Sequence, residues 1–279
     1  MTPFEFVLIC FVVAVAAGLF GSLLGLGGGF IVIPVLTLLL GINIRYAIGA
    51  SIISVIATSS GAAAAYVRER MTNLRVAMLL ETGTTLGALS GAYLAGHINE
   101  RCLQIIFGLV MAYSAFIMFR KRSQKISNEP IAAPWADRLG LHGSYYDKAL
   151  GREVSYKVAN TKLGLCLMYI AGIVSGLLGI GSGSLKVPAM DLAMRLPMKV
   201  STATSNFMIG VTAAASAGVY FMRGDINPFI AAPVASGVLV GALFGSRLLG
   251  RLHSRVVRIV FVVVLLYISL QMIWKGFIR

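Results

Sequence analysis

The stretch Gly25-Leu26-Gly27-Gly28-Gly29, with Pro34 shortly after it, has a close copy later in the chain. Gly179-Ile180-Gly181-Ser182-Gly183 is followed by Pro188 at the same spacing, so the second copy lies 154 residues after the first (179 − 25 and 188 − 34). The same register continues without a gap and aligns Ser51 with Ser205, Thr58 with Thr212, Asn73 with Asn227, Gly87 with Gly241 and Tyr113 with Tyr267. Two matched halves, each with a glycine-broken apolar segment, are typical of secondary transporters.

The composition predicts a membrane protein. Of the 279 residues, 58% are hydrophobic and 12% are charged, and the apolar runs are long enough to cross a bilayer. The formal net charge of +14 comes from Lys and Arg residues at the ends of apolar segments, which indicates membrane topology and not nucleic-acid binding. The three cysteines have no metal or redox spacing, so we predict neither a metal site nor a cofactor. We therefore expect an all-α, polytopic integral membrane protein of the inner (plasma) membrane.

Each half is predicted to contain five apolar segments. Residues 6–44 carry no charge, and as one helix at about 1.5 Å per residue they would be roughly twice as long as the ~30 Å hydrocarbon layer is thick. The chain must therefore break at the glycine cluster. The second segment of each half is too short for a full crossing and is predicted to be half-helical or re-entrant, which gives about eight to ten membrane segments. The predicted segments are 5–24, 28–41, 46–67, 74–96, 102–120, 163–179, 182–195, 202–222, 228–249 and 256–274.

The chain divides into two membrane repeats, 1–120 and 163–279, and a linker, 121–162. The linker is basic, so we expect it to remain in the cytoplasm. Within it, Ser144-Tyr145-Tyr146 and Val154-Ser155-Tyr156 are separated by turn-like residues and predict a small β-hairpin.

The loop charges predict that the two repeats have inverted topology. In the first half the basic loop follows the third segment, at residues 68–75, whereas in the second half it follows the fourth segment, at residues 247–258. Because basic loops face the cytoplasm, equivalent loops then lie on opposite sides of the membrane, and the N-terminus lies outside. A half with four crossings is the alternative, but it would place the basic residues 251–258 outside.

The glycine clusters predict a binding site for an anion. Irregular backbone at membrane depth is costly unless it is buried or lines a wet cavity, and a helix that begins just after it directs N–H groups and a positive dipole end towards a ligand. Close helix packing is the alternative, and we predict it for the later glycines Gly87, Gly91 and Gly237 to Gly245. The predicted substrate-binding residues of the clusters are Gly27, Gly28, Gly29, Gly181, Ser182 and Gly183.

Three ionisable residues lie within apolar segments. Lys186 is one turn beyond Gly183, where the first half has Val32, and an intramembrane lysine is costly unless it meets an anion or a carboxylate. We predict that Lys186 contacts the substrate anion; snorkelling towards the cytoplasmic surface is the alternative. Glu81 and Asp191 are candidate coupling carboxylates for H⁺ or Na⁺, although Glu81 could instead pair with Arg75.

Neutral polar residues near the start of the third segment of each half are further candidates. Their hydroxyl and amide donors would complete a site for an anion beside the broken helices. Hydrogen bonds between helices are the alternative for these residues. The candidates are Ser51, Thr204, Ser205 and Asn206.

The chain resembles the TauE/SafE sulfite exporter family over nearly its whole length. The resemblance rests on the paired glycine motifs, on the stretches Ala47-Ile48-Gly49-Ala50-Ser51 and Ser201-Thr202-Ala203-Thr204-Ser205-Asn206 that follow them, and on the basic linker. It implies a permease that moves sulfite, or an organosulfonate such as sulfoacetate, often for export. We accordingly expect ion-coupled alternating access for a small anion.

A passive anion channel and an intramembrane hydrolase are the alternatives to this expectation. A passive anion channel also uses helix ends and basic groups. An intramembrane hydrolase would use Ser182 and Lys186, which are four residues apart, as a nucleophilic dyad. The first half has Gly28 and Val32 at these positions, so we predict that the protein is not an enzyme.

Overall fold

The computed structural model describes residues 2–24, 27–68, 71–120, 134–147, 151–181, 183–248 and 254–278. Among these residues, six helices are long and apolar enough to cross a membrane. The protein is therefore an all-α polytopic membrane protein, as its composition predicts. The helices are α1 (Pro3–Leu24), α2 (Gly29–Pro34), α3 (Ile44–Arg68), α4 (Leu74–His97), α5 (Glu100–Arg120), α6 (Pro134–Arg138), α7 (Thr161–Leu178), α8 (Gly183–Pro188), α9 (Met198–Met222), α10 (Pro228–Leu248) and α11 (Ser254–Ile278), and the strands are β1 (Gly143–Asp147) and β2 (Arg152–Tyr156).

The short helices α2 and α8 each end in a proline and continue as one π-helical turn, over Val35–Leu39 and Ala189–Ala193. A proline inside a helix removes one N–H donor and displaces the carbonyl four residues earlier, which favours a widened turn. Each continuous segment, 29–39 and 183–193, has a length of about 16 Å, roughly half the hydrocarbon thickness. These segments have the length expected of half-helices.

The helices of the two halves are interdigitated. Helix α1 packs on α10, and α7 packs on α4, so the first helix of each half lies against the fourth helix of the other half. Helices α3 and α9 pack on each other, as do α5 and α11. Glycines allow the closest approaches: a Cβ on Gly241 would collide with the Val15 backbone, and one on Gly87 with the Tyr169 backbone. These later glycines serve helix packing, as their spacing predicts.

Equivalent helices begin at opposite ends of the bundle. Asn73, immediately before α4, donates to the carbonyl oxygen of Leu141 in the linker at 2.9 Å. Arg223, shortly before the equivalent helix α10, donates instead to the carbonyl oxygen of Ala92, near the far end of α4, at 2.7 Å. Helices α4 and α10 therefore run in opposite directions, which is the arrangement that an inverted repeat requires.

The linker packs on the membrane helices at one end of the bundle. Strands β1 and β2 pair antiparallel where the sequence predicts a hairpin, and Gly143 is opposite Tyr156. The side chains of Tyr145 and Tyr156 are buried in one apolar cluster with Val76 of α4. Burial raises the pKa of Tyr156, so its phenol remains protonated and accepts a hydrogen bond from the Asn73 amide at 2.9 Å. An isolated hairpin is marginal, and this one is stabilised by contact with α4.

Candidate functional site

The glycine breaks of the two halves face each other inside the bundle. Gly27 and Gly181 adopt left-handed φ values of +75° and +74°. A Cβ on Gly27 would lie 3.8 Å from the carbonyl oxygen of Ile180, and one on Gly29 would lie 3.2 Å from that of Gly179. Only glycine adopts this backbone conformation without strain. The two glycine motifs therefore lie against each other at the interface between the halves.

Buried polar side chains of α3 and α9 lie at this interface. The Ser51 hydroxyl donates to the carbonyl oxygen of Gly179 at 2.8 Å and so connects α3 to the second break. Ser205 occupies the equivalent position on α9, is fully buried, and has no hydrogen-bond partner among the described residues. The Asn206 amide nitrogen is also buried without a partner in the described part of the chain. Unsatisfied buried polar groups are costly, and these two side chains have donors that the described part of the chain does not use.

Three buried residues from three different helices form an ionic chain, Lys186–Thr212–Glu81. The Lys186 ammonium donates to the Thr212 hydroxyl at 2.6 Å. The Thr212 hydroxyl in turn donates to Oε1 of Glu81 at 2.7 Å, and Thr85 donates to the same oxygen at 3.1 Å. Lys186 has no solvent-exposed surface. The ionic chain places a cation and a carboxylate inside the membrane domain with one hydroxyl between them.

This geometry decides between two of the alternatives for the charged residues. Lys186 is fully buried and hydrogen-bonded to Thr212, so it does not snorkel to the surface. Arg75 donates to the carbonyl oxygen of Gly140 in the linker at 2.8 Å, and the hydrogen bonds of Glu81 run to Thr212 and Thr85. Glu81 therefore belongs to the ionic chain rather than to an interfacial pair with Arg75.

The ionic chain adjoins the second glycine break. Lys186 lies one turn after Gly183, where α8 begins. On α9, the Ile209 side chain covers Gly181, where a Cβ would lie 2.7 Å from it, and Thr212 follows one turn later. The equivalent positions are occupied by Val32 and Thr58 in the first half and by Ala235 in the second half. Of the two equivalent sets of positions in this duplicated structure, only one therefore carries charged residues.

Thr204 has a structural partner away from the glycine breaks. Its hydroxyl accepts a hydrogen bond from the backbone N–H of Asn73 at 3.1 Å. Thr204 therefore connects α9 to the start of α4 beside the linker. Its predicted role in substrate binding remains a prediction.

The remaining predicted residues are distributed around α2 and α8. Gly28 and Gly183 are buried, and a Cβ on Gly28 would lie 3.0 Å from the Val238 side chain of α10. Asp191 is buried on the π-helical turn after α8 and has interactions of its own. Ser182 lies outside the described residues. Among the residues that are described, no three His, Cys, Asp or Glu side chains are grouped as metal ligands.

Thr212 is not among the residues that the sequence predicts for the site. Its alignment with Thr58 was visible in the sequence, but a threonine in a membrane helix normally bonds back to its own helix, as Thr58 does to the carbonyl oxygen of Ser54 at 2.8 Å. The available signal was the presence of one lysine and one glutamate without counterparts in the other half. Two such charges inside one membrane domain tend to be paired, and a hydroxyl can bridge them.

A cavity of about 550 Å³ lies away from the linker, near the start of α5. The residues that line it are polar or charged, and one of them, Glu100, accepts a hydrogen bond from the Asn43 amide at 2.7 Å. It presents two guanidinium groups and one carboxylate to the solvent. The lining residues are Arg45, Asn99, Glu100, Arg101 and Gln104.

Comparison with known proteins identifies the family. The profile of the Sulfite exporter TauE/SafE family matches residues 10–272. The chain is 27% identical to "Probable membrane transporter protein YunE" of Bacillus subtilis over 95% of this chain and 96% of that protein. It is 26% identical to a "Probable membrane transporter protein" of Xylella fastidiosa over 94% of each chain. No solved structure gives a significant match.

These matches cover both halves and the linker. The names of the family and of its relatives indicate a membrane transporter rather than an enzyme, with a small-molecule substrate and a lipid environment. The six apolar helices agree with a multi-pass membrane protein. The chain belongs to the Sulfite exporter TauE/SafE family.

Proposed function

We propose that this transporter exports a small sulfur-containing anion, either sulfite or an organosulfonate such as sulfoacetate, across the inner (plasma) membrane. The observation that carries the proposal is the fully buried Lys186, one turn after the second of two glycine breaks that face each other. A cation inside a membrane protein is retained where it meets an anion or a carboxylate, and it marks a substrate path more often than a packing position. The family name supports sulfite as the substrate class.

The binding groups come from both halves. Sulfonate oxygens would accept hydrogen bonds from backbone N–H groups at the starts of segments 29–39 and 183–193, next to Gly27, Gly28, Gly29, Gly181 and Gly183. Ser205 and Asn206 are buried without partners in the described structure, and they would donate to the same oxygens. Ser51 fixes the position of the second break through Gly179. Lys186 supplies the counter-charge.

The packing suggests which parts move during alternating access. The α1–α10 and α4–α7 pairs each combine helices of both halves through close glycine contacts, so each pair is a rigid unit. Helices α3 and α9 pack on each other between these pairs and carry Ser51 and Ser205. Rocking of the two pairs about α3 and α9 would open the site to one side and then to the other. Glu81 and Asp191 are the candidate coupling carboxylates.

Flux measurements on purified protein in proteoliposomes test the proposal. Labelled sulfite, sulfoacetate and sulfate are compared under imposed pH or Na⁺ gradients, with empty vesicles as the control. We expect saturable flux of sulfite or sulfoacetate that exceeds the flux of sulfate and responds to one of the two ion gradients. Flux that rises linearly with concentration and ignores both gradients would support a passive channel, and equal flux of all three anions would contradict the proposed substrate class.

A further inference from the structure

We propose that Glu81 is the proton-carrying group of this transporter, and that a proton on Glu81 and an anion at Lys186 bind together. The inference rests on the proposed anion transport and specifies H⁺ as its coupling ion. The geometry of the ionic chain Lys186–Thr212–Glu81 carries it.

The two oxygens of the Glu81 carboxylate have different surroundings. Oε1 accepts hydrogen bonds from Thr212 at 2.7 Å and from Thr85 at 3.1 Å. Oε2 is buried and has no hydrogen-bond partner among the described residues. A buried carboxylate oxygen without a donor is costly, and a proton at that atom removes the charge that causes the cost. Oε2 is therefore the atom at which Glu81 takes up a proton.

The Thr212 hydroxyl has an acceptor in both protonation states of Glu81. A hydroxyl has one proton to donate, yet the Thr212 hydroxyl has two acceptors within reach, Oε1 of Glu81 at 2.7 Å and the carbonyl oxygen of Met208 at 2.8 Å. When Glu81 is ionised, the hydroxyl proton points to Oε1. When Glu81 is protonated, the hydroxyl can rotate to Met208, and its oxygen still accepts from Lys186 at 2.6 Å. The proton can thus bind without movement of the backbone.

Protonation of Glu81 changes the charge that Lys186 faces. With Glu81 ionised, the buried lysine has its counter-charge within the protein. With Glu81 neutral, the same lysine carries an uncompensated buried charge, which an anion would neutralise. By linkage, the proton then raises anion affinity and the anion raises proton affinity by the same factor. A dianion carried with one proton still has a net negative charge, which an inside-negative membrane potential drives outward.

The other charged groups on the packed helices lie mainly at helix ends. The second residue of each of the helices α4, α7 and α9 is basic: Arg75, Lys162 and Lys199. Asp191 is on the turn after α8. On α7, the titratable Cys166 and Tyr169 are exposed. In the described structure, Lys186 is the cation that the hydrogen bonds of Glu81 reach. Since Val32 and Ala235 occupy the positions equivalent to Lys186 and Glu81, the ionic chain has no second copy in the repeat, and the stoichiometry is one proton per anion.

Two measurements test the inference separately from the proposed substrate. The first is infrared difference spectroscopy of the purified protein during a pH titration without substrate, which detects a protonated carboxyl group directly. We expect a carboxyl band that titrates in the wild type and is absent from Glu81→Gln. The second is sulfoacetate affinity across neutral pH, chosen because sulfoacetate, unlike sulfite, does not itself titrate there. For one linked proton, wild-type affinity should fall by at most about tenfold per pH unit over the pH range in which the carboxyl band disappears. Glu81→Gln should lose this fall, and any decrease that remains at higher pH in that variant follows deprotonation of Lys186.

Thr212→Val and Thr58→Val form a matched pair for both measurements. Each threonine is buried and donates to the carbonyl oxygen four residues earlier at 2.8 Å, but only Thr212 bridges the two charges. Thr212→Val should shift the carboxyl band and weaken the pH dependence, and Thr58→Val should retain both.

The outcomes separate the two claims. Identical carboxyl bands in the wild type and Glu81→Gln, or equal pH dependence of affinity in the two proteins, would overturn the inference. If neither sulfite nor sulfoacetate binds while the Glu81 band still titrates, the proposed substrate class is wrong and the proton site stands.

Discussion

At the scale of single residues, Lys186 and Glu81 depend on each other. Both are buried, and the Thr212 hydroxyl bridges them at 2.6 and 2.7 Å. Removing one member of a buried ion pair leaves an uncompensated charge, whereas removing both leaves none. This asymmetry allows a role in transport to be distinguished from a role in stability.

We expect Lys186→Met to abolish anion transport and to lower the free energy of unfolding by about 3–5 kcal/mol, because Glu81 is then left without its counter-charge. The double variant Lys186→Met with Glu81→Gln should regain most of that stability and none of the transport. Thermal denaturation in detergent and flux in proteoliposomes measure the two effects. Wild-type affinity and turnover in Lys186→Met would remove Lys186 from the binding site.

Gly27 offers a second test at this scale. Its Cβ position has ordinary contacts, the nearest being 3.6 Å from the Val55 side chain, but its φ is +75°. Gly27→Ala should therefore cost about 1–2 kcal/mol of backbone strain. It should also weaken substrate binding, because the added Cβ disfavours the left-handed backbone conformation of the glycine break. Gly241→Ala, whose Cβ would collide with the Val15 backbone, should lower stability more and leave selectivity unchanged.

Substrate-dependent thermal stabilisation of the two glycine variants distinguishes these effects. An early-melting Gly27→Ala variant that retains the full shift with saturating substrate would assign the cluster to packing. Gly181→Ala is a less specific probe, since its Cβ would also lie 2.7 Å from the Ile209 side chain.

The sequence identified the charged members of the site but not their connection. Lys186 and Glu81 are conspicuous because charges are rare in apolar segments. Their pairing depends on Thr212, which is 131 residues from Glu81 in the chain, and on the packing of α4, α8 and α9. The sequence periodicity of a single helix cannot predict such a contact between residues of different helices.

At the scale of elements, Asn73 connects the linker to the membrane domain. Its side-chain oxygen caps α4 by accepting from the Val76 N–H at 3.1 Å, and its amide nitrogen donates to Leu141 and Tyr156. Asn227 is its repeat equivalent and accepts in the same way from the Phe229 N–H at 3.0 Å, at the opposite end of the bundle. The two asparagines share a capping role, but within the described residues only Asn73 contacts the linker.

Asn73→Asp should keep the cap and lose both linker contacts, because a carboxylate accepts hydrogen bonds and cannot donate them. We expect faster hydrogen exchange across residues 141–158 in this variant, with little change at the start of α4. Asn227→Asp serves as the matched control and should leave the linker unchanged. Equal exchange in the wild type and in both variants would show that Asn73 does not hold the linker in place.

The helix bounds were largely predictable because glycines, prolines and charges delimit the apolar runs. The predicted segment 74–96 is observed as Leu74–His97, and 202–222 as Met198–Met222. The π-helical turns after Pro34 and Pro188 were not predicted. A proline in the sequence indicates a disturbed helix, but the choice between a kink, an end and a widened turn depends on tertiary packing.

At the scale of the whole molecule, the two sequence repeats do not form two separate bodies. The first helix of each half packs on the fourth helix of the other. Hydropathy cannot reveal this exchange, because every membrane helix presents similar apolar surfaces. The small residues indicate which helices pack together, since Gly87 and Gly241 lie at equivalent positions and each faces a backbone of the opposite half.

The central claim is that equivalent helices of the two halves cross the membrane in opposite directions around one site, and cysteine labelling tests it most directly. In a background without Cys10, Cys102 and Cys166, single cysteines replace Asn99 just before α5, Ser254 at the start of α11, and the exposed Tyr146 of the linker. An impermeant maleimide should label Asn99→Cys only from outside the cell, and Ser254→Cys and Tyr146→Cys only from the cytoplasmic side. Labelling of positions 99 and 254 from the same side would contradict the account.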